Sequence, residues 1–308
     1  MTVAPFFSVI IPTRERADRL RRALASVTAQ TDQDYEIIVV DDGSSAGAAA
    51  EIAAHVAATP RAVLIRHHDS LGAPRARNRA AEMASGRMLA LLDSDDSWAP
   101  TRLAAHRAAA GEAPRGVITY NIAQMIDAHG RLMSLSNDRP PDPKRLHRVS
   151  IAGSNFLGGC SSVCVDRQRF LAIGGFSPEL PSCQDWDLWF RLAQAGSELR
   201  FVPEVLTLQD CGPHLRISNQ RDRVLAGHAT VMTAILNAEW SEADRHYIAA
   251  HHQRVRAWIE HSFGNDRKAL AYALAALMRL RDAQSRAVAR KYARRAVFGD
   301  RRLARFAA

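Results

Sequence analysis

Short apolar runs and amphipathic stretches alternate over the first hundred residues, and this alternation restricts the fold more than any other feature of the sequence. Four runs have the length of a strand: Phe7–Ile11, Glu36–Val40, Ala62–Ile65 and Met88–Leu92. Three stretches with helical periodicity separate them: 16–29, about 46–57 and about 74–84. Strands that alternate with helices predict an α/β layer fold with a mostly parallel sheet. We expect Pro12 to end the first strand, because proline has no N–H for a sheet ladder.

Polar residues directly follow three of these strands. The segments are Pro12-Thr13-Arg14-Glu15, Asp41-Asp42-Gly43-Ser44-Ser45 and Asp93-Ser94-Asp95-Asp96. The carboxyl ends of parallel strands lie at one edge of a sheet, which is where ligands bind in such folds. We therefore expect the three segments to converge on one crevice.

The third segment carries the densest negative charge. Its carboxylates, Asp93, Asp95 and Asp96, would repel one another if nothing neutralised them. Magnesium and manganese prefer hard oxygen ligands such as carboxylates and phosphates, so the segment predicts a divalent cation with an anionic ligand. A surface turn in which Asp96 or Ser97 caps the next helix is the structural alternative.

Spacing argues against several familiar ligand-binding loops. An EF-hand loop starting at Asp93 would have Trp98 and Ala104 where it needs glycine and glutamate. The turn after the second strand does not spell GxGxxG, and no GxxxxGK[ST] occurs, which argues against a dinucleotide cofactor and a P-loop. Asp42 in that turn suits a ribose or base edge, because a carboxylate accepts hydrogen bonds from hydroxyl and ring N–H groups. A helix cap is its alternative.

Two further groups are candidates for the site. Arg75, Arg77 and Arg79 begin a predicted helix, where a guanidinium can hold a nucleotide or its phosphates. Asp185 lies in the first turn of a helix predicted over 185–195. The positive end of the helix dipole favours the ionised carboxylate that a general base needs. Trp186 beside it is a candidate for stacking on a sugar ring.

The net charge of +9 is concentrated at the C-terminus. From Arg279 to Ala308 there are ten Lys and Arg against two Asp, so this tail carries +8 and the preceding residues are close to neutral. No aromatic-interleaved RNA-binding motif or DNA-reading motif accompanies it, and we expect no nucleic-acid partner. An anionic membrane surface is a candidate partner of the tail, and a solvated helix face is the alternative.

Composition places the 308-residue chain, with 47% hydrophobic residues, among globular proteins. It shows neither a transmembrane run nor a secretory signal, so the expected location is the cytoplasm, with peripheral attachment to the inner face of the membrane as an option. Cys160, Cys164, Cys183 and Cys211 lack paired CxxC spacing, which argues against a zinc site. Cys160 and Cys164 are interpreted as small core residues on one face of a strand.

Later in the chain the pattern is mixed and then helical. Strand patterns return at 117–120 and 161–165, and the polar, proline-rich segment 136–150 is interpreted as a mobile loop or lid. After about residue 218 the pattern is helical to the end. We predict a first domain over residues 1–217 and a helical region with a basic tail over residues 218–308.

Taken in order, these segments resemble family 2 glycosyltransferases with the GT-A fold, from Ser8 to about His228. The blocks that carry the resemblance are Ser8-Val9-Ile10-Ile11-Pro12-Thr13-Arg14-Glu15-Arg16, Glu36-Ile37-Ile38-Val39-Val40-Asp41-Asp42-Gly43-Ser44, Ala76-Arg77-Asn78, Leu91-Leu92-Asp93-Ser94-Asp95-Asp96, and Gly174-Gly175-Phe176 followed by Gln184-Asp185. The fourth block matches the family's DxD motif, and the last resembles its glycine loop and acidic catalytic motif. The resemblance implies a donor half over about 1–115 and an acceptor half over about 116–217.

The resemblance also implies roles for individual residues. A divalent metal, Mn²⁺ or Mg²⁺, would be held by Asp95, with His214 as a further ligand. Asp93 and Ser94 would lie against the ribose and diphosphate of a nucleotide sugar. The other donor-binding residues would be Pro12, Thr13, Glu15, Asp42 and Arg77. Asp185 matches the base that deprotonates the acceptor hydroxyl, and Trp186 would lie on the acceptor side.

The implied activity is inverting, metal-dependent transfer of a sugar, expected to come from a UDP-sugar, to a hydroxyl of a cell-envelope polysaccharide or lipid-linked glycan. Two alternatives stay open. A sugar-nucleotidyltransferase would need a glycine-rich first loop with a lysine, where this chain has Pro12-Thr13-Arg14-Glu15. A non-catalytic module would bind a sugar nucleotide or glycan without turnover. One residue departs from the family: Gln184 stands where Glu is common, which preserves the base and alters the orientation of the acceptor.

Overall fold

The computed structural model describes residues 4–111, 116–127, 129–138, 140, 145–212, 220–280 and 283–298. The chain forms two compact units. The first, the sheet unit, consists of Met1–Pro143, Phe156–Glu179 and Gln184–His214. The second, the helical unit, consists of Lys144–Asn155, Leu180–Cys183 and Leu215–Ala308.

The sheet unit is an α/β domain. Its strands are β1 (Phe7–Thr13), β2 (Tyr35–Asp42), β3 (Ala62–His67), β4 (Met88–Leu91), β5 (Ser97–Trp98), β6 (Val117–Ile126), β7 (Leu132–Ser136), β8 (Val163–Asp166) and β9 (Glu198–Asp210). Its helices are α1 (Ala17–Thr28), α2 (Ala46–Ala57), α3 (Ala73–Met83), α4 (Arg102–Ala110), α6 (Arg167–Ala172) and α7 (Gln184–Gln194). In the described part of the chain these strands form one sheet in the order β3-β2-β1-β4-β8-β6-β9-β5, and β7 pairs with β6.

The sheet changes character at β4. Strands β3, β2, β1 and β4 are parallel to one another, as the alternating pattern predicts. Beyond them, β8 is antiparallel to both β4 and β6, while β6 and β9 are parallel. The parallel part therefore contains the three strands whose carboxyl ends carry the polar segments.

The prediction that Pro12 ends the first strand is wrong. β1 pairs with β2 through Thr13, and Pro12 lies opposite Val40. The backbone explains this, because Ile10 turns its carbonyl toward β4 by accepting from the N–H of Leu92. The backbone of residue 12 faces β4, as that of residue 10 does, and the ladder between β1 and β4 ends at Ile10. The missing N–H of proline therefore removes no bond to β2.

The core on one side of the parallel strands is apolar. Residues Val9 and Ile11 of β1 belong to it together with Leu20, Leu24 and Val27 of α1. These three α1 residues are at most 3% exposed, so they form the buried face of the helix predicted over 16–29. Each such burial stabilises the fold by about 1.5–3 kcal/mol.

A polar network is buried in the same unit. Arg102 is fully buried and donates from Nε to Asn121 Oδ1 at 3.2 Å. His106 bonds both Thr119 Oγ1 and Asn121 Oδ1, at 2.6 and 2.9 Å. Burial first, and then the Arg102 charge, hold the pKa of His106 well below its usual range, so this imidazole is neutral. The Arg102 guanidinium also lies 3.9 Å from the ring centroid of Trp98.

Two predictions for the second half need correction. The segment 136–150 is not a loop throughout, because α5 (His147–Gly153) covers its end. A seven-residue helix is too short to display a helical period in the sequence. The strand predicted from Ser161 begins at Val163, since Cys160–Ser162 form a 3-10 turn. Cys160 and Cys164 are nevertheless free, buried thiols, as expected of small core residues.

The helical unit contains α5 and four longer helices. These are α8 (Arg221–Asn237), α9 (Glu242–Ser262), α10 (Asp266–Leu280) and α11 (Ala283–Phe298), so the helical pattern predicted after about residue 218 is confirmed for the described residues. Tyr292 of α11 packs with Ala257, Ala269 and Ala273. No described helix combines the length and apolar character that crossing a bilayer requires. The last ten residues of the basic tail, 299–308, lie outside the described residues.

A buried histidine pair links two helices of this unit. His252 Nδ1 lies 3.2 Å from His228 Nε2, and His252 Nε2 lies 2.8 Å from the Ala152 carbonyl oxygen. Burial, and secondarily Arg256, lowers the pKa of His228 to about 4. Burial, and secondarily His228, lowers the pKa of His252 to about 3. Both imidazoles are therefore neutral in the folded unit at pH 7.

We expect this pair to make stability fall with acidification. Below the ordinary histidine pKa of 6.5 both imidazoles become protonated in the unfolded chain, whereas in the folded unit they stay neutral down to about pH 4. The free energy of unfolding should therefore drop between pH 6.5 and 4, by up to about 1.4 kcal/mol per pH unit for each histidine. Thermal unfolding from pH 7 to 5 measures this, comparing the native chain with His228→Asn and with His246→Asn, an exposed position. A dependence on pH that is equally steep in His228→Asn would contradict the assignment.

Candidate active site

The parallel strands bring the three polar segments to one edge of the sheet. The β1–β2 register places Thr13 opposite Asp41. From the next segment, the side chain of Ser44 accepts from the backbone N–H of Glu15 at 2.9 Å. The acidic segment, Asp93–Asp96, follows β4 and bonds to Arg16, which comes just after the first segment. The predicted convergence is therefore seen in direct contacts.

The acidic segment forms a tight turn. The N–H of Asp96 donates to the carbonyl of Asp93 at 3.0 Å, and carboxylate oxygens of Asp93, Asp95 and Asp96 lie within 4.8 Å of one another. The structural alternative of a helix cap is wrong. The next helix, α4, begins at Arg102 with Thr101 at its N-cap.

Each of the three carboxylates has a different partner. Asp95 Oδ2 accepts from Arg16 Nη1 at 2.8 Å, and Arg19 Nη1 lies 4.0 Å from the same oxygen. Asp93 Oδ1 accepts a very short bond from Arg77 Nη2. Nearby arginines therefore neutralise two members of the acidic segment.

The third carboxylate, Asp96, is part of the scaffold. It is 5% exposed, and its oxygens accept from Ser161 Oγ at 2.6 Å and from the Asp210 N–H at 3.1 Å. The Ser161 hydroxyl also accepts from the Asp93 N–H at 3.0 Å, and the Ser161 carbonyl accepts from Trp98 Nε1 at 2.7 Å. One serine thus fixes the turn from the antiparallel half of the sheet.

Of the three arginines that start α3, only Arg77 reaches the acidic segment. Arg75 pairs with Glu179 and Arg79 pairs with Glu82, all with well exposed side chains. Arg77 is 8% exposed and lies over the ring of Phe176 at 5.3 Å. Burial alone would lower its pKa, but the surrounding anionic groups raise it well above the usual value. Arg77 is a permanent buried cation.

Asp185 lies at the same centre. It is in the first turn of α7, where its Oδ1 accepts from the N–H of Trp186 at 2.8 Å. Its charge acts on Arg77 and on the Cys160 thiol, as that of Asp93 does. Asp93, which bonds Arg77 directly, and Asp185 therefore both act electrostatically on one guanidinium and on one thiol whose pKa burial raises.

Trp186 and the glycine pair Gly174-Gly175, which the sequence predicts to lie near Asp185 at the site, have structural roles. Trp186 is 3% exposed, so its ring offers little surface for stacking on a sugar. Gly174 and Gly175 have positive φ angles of 80° and 66°. The turn they make is held by Asn78, whose side chain donates to the Phe176 carbonyl and accepts from its N–H at 2.9 and 2.8 Å. A structural turn explains these glycines.

At the ends of β1 and β2 two buried polar atoms have no hydrogen-bond partner in the structure. They are Thr13 Oγ1 and Asp41 Oδ2, on residues that lie opposite each other in the register. The other oxygen of Asp41 accepts from the N–H and hydroxyl of Ser44. Asp41 Oδ2 does have an ion-pair partner, because Arg66 Nε lies 3.4 Å from it without the geometry of a hydrogen bond. For the Thr13 hydroxyl, a buried polar atom without a partner costs about 1–3 kcal/mol unless a ligand or water satisfies it. This pair is therefore suited to receive polar groups of a ligand.

Asp42, the predicted donor-binding acid of this turn, is already saturated. Its four partners, at 2.8–2.9 Å, are His67 Nδ1, Ser70 Oγ, Leu71 N and Gly72 N. Burial alone would raise the pKa of Asp42, but these donors outweigh it and hold the pKa below its usual value. Asp42 therefore fastens the loop after β3 to β2.

Glu15 holds the first polar segment to the second. Its backbone has a positive φ of 52°, and its two carboxylate oxygens accept from the backbone N–H and the hydroxyl of Ser45. The Ser45 N–H is the main reason that the pKa of Glu15 lies below its usual value. Pro12 is buried within β1, and Ser94 is 3% exposed inside the acidic turn. His214 lies outside the described residues.

The donor set fits a divalent cation. Asp93 and Asp95 supply hard carboxylate oxygens, while both oxygens of Asp96 are taken by Ser161 and Asp210. Asp93 and Asp95 are therefore the residues that would hold Mn²⁺ or Mg²⁺.

Sequence reasoning missed three residues of this site. Arg16 and Ser161 contact the acidic segment only through the folded chain, and no local pattern marks them. Asp41 was overlooked in favour of its neighbour, although strand periodicity offered a signal. Residue 41 shares the strand face of Ile37 and Val39, which is the face of Thr13 in β1.

Comparison with known proteins supplies a family. A sequence model described as Glycosyl transferase family 2 matches residues 8–166. A Haemophilus influenzae protein named as an uncharacterized glycosyltransferase is 28% identical over 62% of this chain. The match spans 63% of that relative's own length. Bacillus subtilis TuaG, named as a putative teichuronic acid biosynthesis glycosyltransferase, is 28% identical over 62% of this chain and 73% of its own.

Solved structures show the same fold. S. aureus TarS 1-349, in complex with UDP-GlcNAc, superposes with a TM-score of 0.66 at 18% identity over 88% of this chain and 81% of that fragment. The Pyrobaculum calidifontis mannosyltransferase PcManGT, in complex with GDP-Man and Mn²⁺, gives 0.61 at 19% identity over 96% of this chain and 82% of its own. The GT-A architecture implied by the sequence resemblance is thereby confirmed.

Proposed function

The chain belongs to glycosyl transferase family 2, and from that premise we propose that it moves a sugar from a nucleotide-diphosphate donor to an acceptor hydroxyl, with inversion and with the help of a divalent cation. The observation that carries the proposal is that the buried Arg77 bonds Asp93 and is acted on by the charge of Asp185, with Asp95 in the same acidic turn as Asp93. Such a centre combines a cation site with a separate carboxylate that is able to accept a proton.

Thr13 Oγ1 and Asp41 Oδ2, which accept no hydrogen bond in the structure, favour a particular kind of base. Asp41 Oδ2 accepts hydrogen bonds, so it suits a base with a ring N–H at its pairing edge, such as uracil or guanine. Adenine and cytosine present an acceptor nitrogen there, which a carboxylate would repel. Uracil is our choice, since the structural relative TarS was solved with UDP-GlcNAc. Thr13 would add a hydroxyl contact.

The diphosphate of the donor would lie beside Asp93 and Asp95. A cation held by these two residues would supply electrostatic stabilisation of the charge that develops on the departing diphosphate. Arg77 contributes a fixed positive charge at the same place, which holds Asp93 in position. The Mn²⁺ in the PcManGT complex supports this choice of metal. His214 remains a predicted additional ligand outside the described residues.

Asp185 is proposed as the general base. Its position in the first turn of α7 favours the carboxylate form. The carboxylate takes the proton of the acceptor hydroxyl while that oxygen forms its bond to the anomeric carbon and the bond to the diphosphate breaks. A single displacement of this kind inverts the configuration. Gln184 beside it supplies an amide for positioning the acceptor, without adding a second negative charge.

The acceptor proposed is a glycan of the cell envelope, polymeric or lipid-linked. The support is the similarity to TuaG, whose name assigns it to teichuronic acid biosynthesis.

Products distinguish this proposal from its alternatives. The full chain would be incubated with Mn²⁺, a panel of labelled nucleotide sugars and a mixture of envelope glycan acceptors. We expect release of a nucleoside diphosphate and transfer of the label. Release of pyrophosphate from a nucleoside triphosphate and a sugar phosphate would instead identify a sugar-nucleotidyltransferase. Binding of a nucleotide sugar without any release would identify a non-catalytic module.

We also propose peripheral attachment to an anionic membrane through the helical unit. The support is α11, which contains no acidic residue and exposes Arg286, Arg290, Lys291 and Arg294. Each such charge near an anionic bilayer contributes about 1 kcal/mol. Replacing these four residues by Gln should reduce flotation with phosphatidylglycerol vesicles about tenfold or more, and high salt should do the same to the native chain. Equal flotation of the variant, or equal binding to neutral phosphatidylcholine vesicles, would refute the attachment.

A further inference from the structure

The proposed cation ligand Asp95 already holds a cation of the protein itself. Its carboxylate is 7% exposed and bonds Arg16 Nη1 at 2.8 Å, with Arg19 at 4.0 Å. A divalent ion bound to the same carboxylate would lie within a few ångströms of the Arg16 guanidinium. Like charges at that distance repel strongly in a partly buried site. Arg16 and a divalent cation therefore compete for Asp95.

The two arginines of the acidic segment differ in how free they are to move. Arg77 is 8% exposed and lies against Phe176. The Arg16 side chain is 29% exposed and extends from the N-cap position of α1. Of these two, Arg16 is the one able to leave its carboxylate without opening the core.

The backbone next to Arg16 is nevertheless fixed. Glu15 is held by Ser44 and Ser45 through three hydrogen bonds, in a left-handed conformation that few side chains adopt. The base of the Arg16 side chain therefore stays at the edge of the site while its guanidinium swings. A guanidinium at this edge is matched to phosphate oxygens, which it binds with paired N–H donors.

We propose that Arg16 is an exchanging counter-ion: it neutralises Asp95 in the empty site and transfers to the donor's diphosphate when the cation binds. This inference rests on the proposed function. Its consequence is coupling between the two ligands. Arg16 weakens binding of the cation alone and strengthens binding of the nucleotide in the presence of the cation, so that the site fills with both together.

Opposite changes in two affinities test this role. Binding of Mn²⁺ alone would be measured by electron paramagnetic resonance, and binding of UDP at saturating Mn²⁺ by calorimetry, both on the full chain. In Arg16→Gln we expect Mn²⁺ alone to bind about two- to fivefold more tightly, the range for a partly exposed ion pair. UDP should bind about tenfold or more weakly, the range for a lost charge-assisted hydrogen bond.

Two further variants separate this role from a structural one. Arg16→Lys keeps the charge and should restore most of the competition with Mn²⁺. Arg21→Gln removes an exposed charge from the same helix and should change neither affinity. A structural role would weaken both ligands in Arg16→Gln, and that result would overturn the inference, as would two unchanged affinities. Absence of Mn²⁺ binding by the native chain with UDP would overturn this inference together with the proposed cation dependence.

Discussion

Replacing Asp185 by Asn is expected to lower kcat by about 10²- to 10⁴-fold while the affinity for the donor stays within about twofold. Asn has the shape of Asp but accepts no proton at neutral pH, so the acceptor hydroxyl keeps its proton. The proposed donor contacts are Thr13, Asp41 and the acidic segment, which this substitution leaves in place. Initial rates of transfer and calorimetric binding of UDP with Mn²⁺ measure the two quantities.

A surface acid provides the control for charge. Glu179→Gln removes one negative charge from an exposed pair with Arg75 and should leave both quantities unchanged. Turnover in Asp185→Asn at the native rate would assign the base to another group. Loss of UDP binding together with turnover would mean instead that Asp185 belongs to the donor site.

Replacing Asp95 by Asn is expected to abolish stimulation by Mn²⁺ and to lower kcat by about 10²- to 10³-fold at saturating donor. The neutral amide is a weaker ligand for a hard cation than the carboxylate. Arg16 also loses its ion pair, but this pair is partly exposed and contributes at most about 1 kcal/mol to stability. Rates across a Mn²⁺ titration, together with the midpoint of thermal unfolding, test the prediction.

The neighbouring acid gives the matched contrast. Asp96→Asn places an N–H₂ group against the Ser161 hydroxyl or the Asp210 N–H, where the structure needs an acceptor. This should cost about 1–3 kcal/mol of stability, seen as a lower unfolding midpoint. Asp95→Asn with undiminished stimulation by Mn²⁺ would remove Asp95 from the cation site.

The sequence predicts the parallel half of the sheet well, and the physical reason is local. Strands such as β2, and helices such as α1 and α2, each bury one run or face that is visible as a periodic pattern. The elements of the antiparallel half are harder to predict from the sequence. There β5 is a two-residue strand, and in the helical unit α5 is a seven-residue helix; neither is long enough to show a period.

For the candidate site, local residues were predictable and long-range partners were not. Asp93 and Asp95 stand out because three acids crowd one turn, and Asp185 because it starts a helix. Asp42 was expected to hold a nucleotide, but four donors from the chain around β3 already surround it. That saturation depends on where the loop after β3 folds back, and no pattern around residue 42 encodes it.

The Ser161 hydroxyl connects the two halves of the sheet by hydrogen bonds. It lies in the 3-10 turn just before β8 and bonds both the Asp96 side chain and the Asp93 backbone N–H. Substitutions that shift this turn would therefore also shift the acidic segment and the cation site proposed there, unless position 161 keeps a small side chain with a hydroxyl. Sequence change in the antiparallel half of the sheet is therefore constrained by one atom, the Ser161 hydroxyl oxygen.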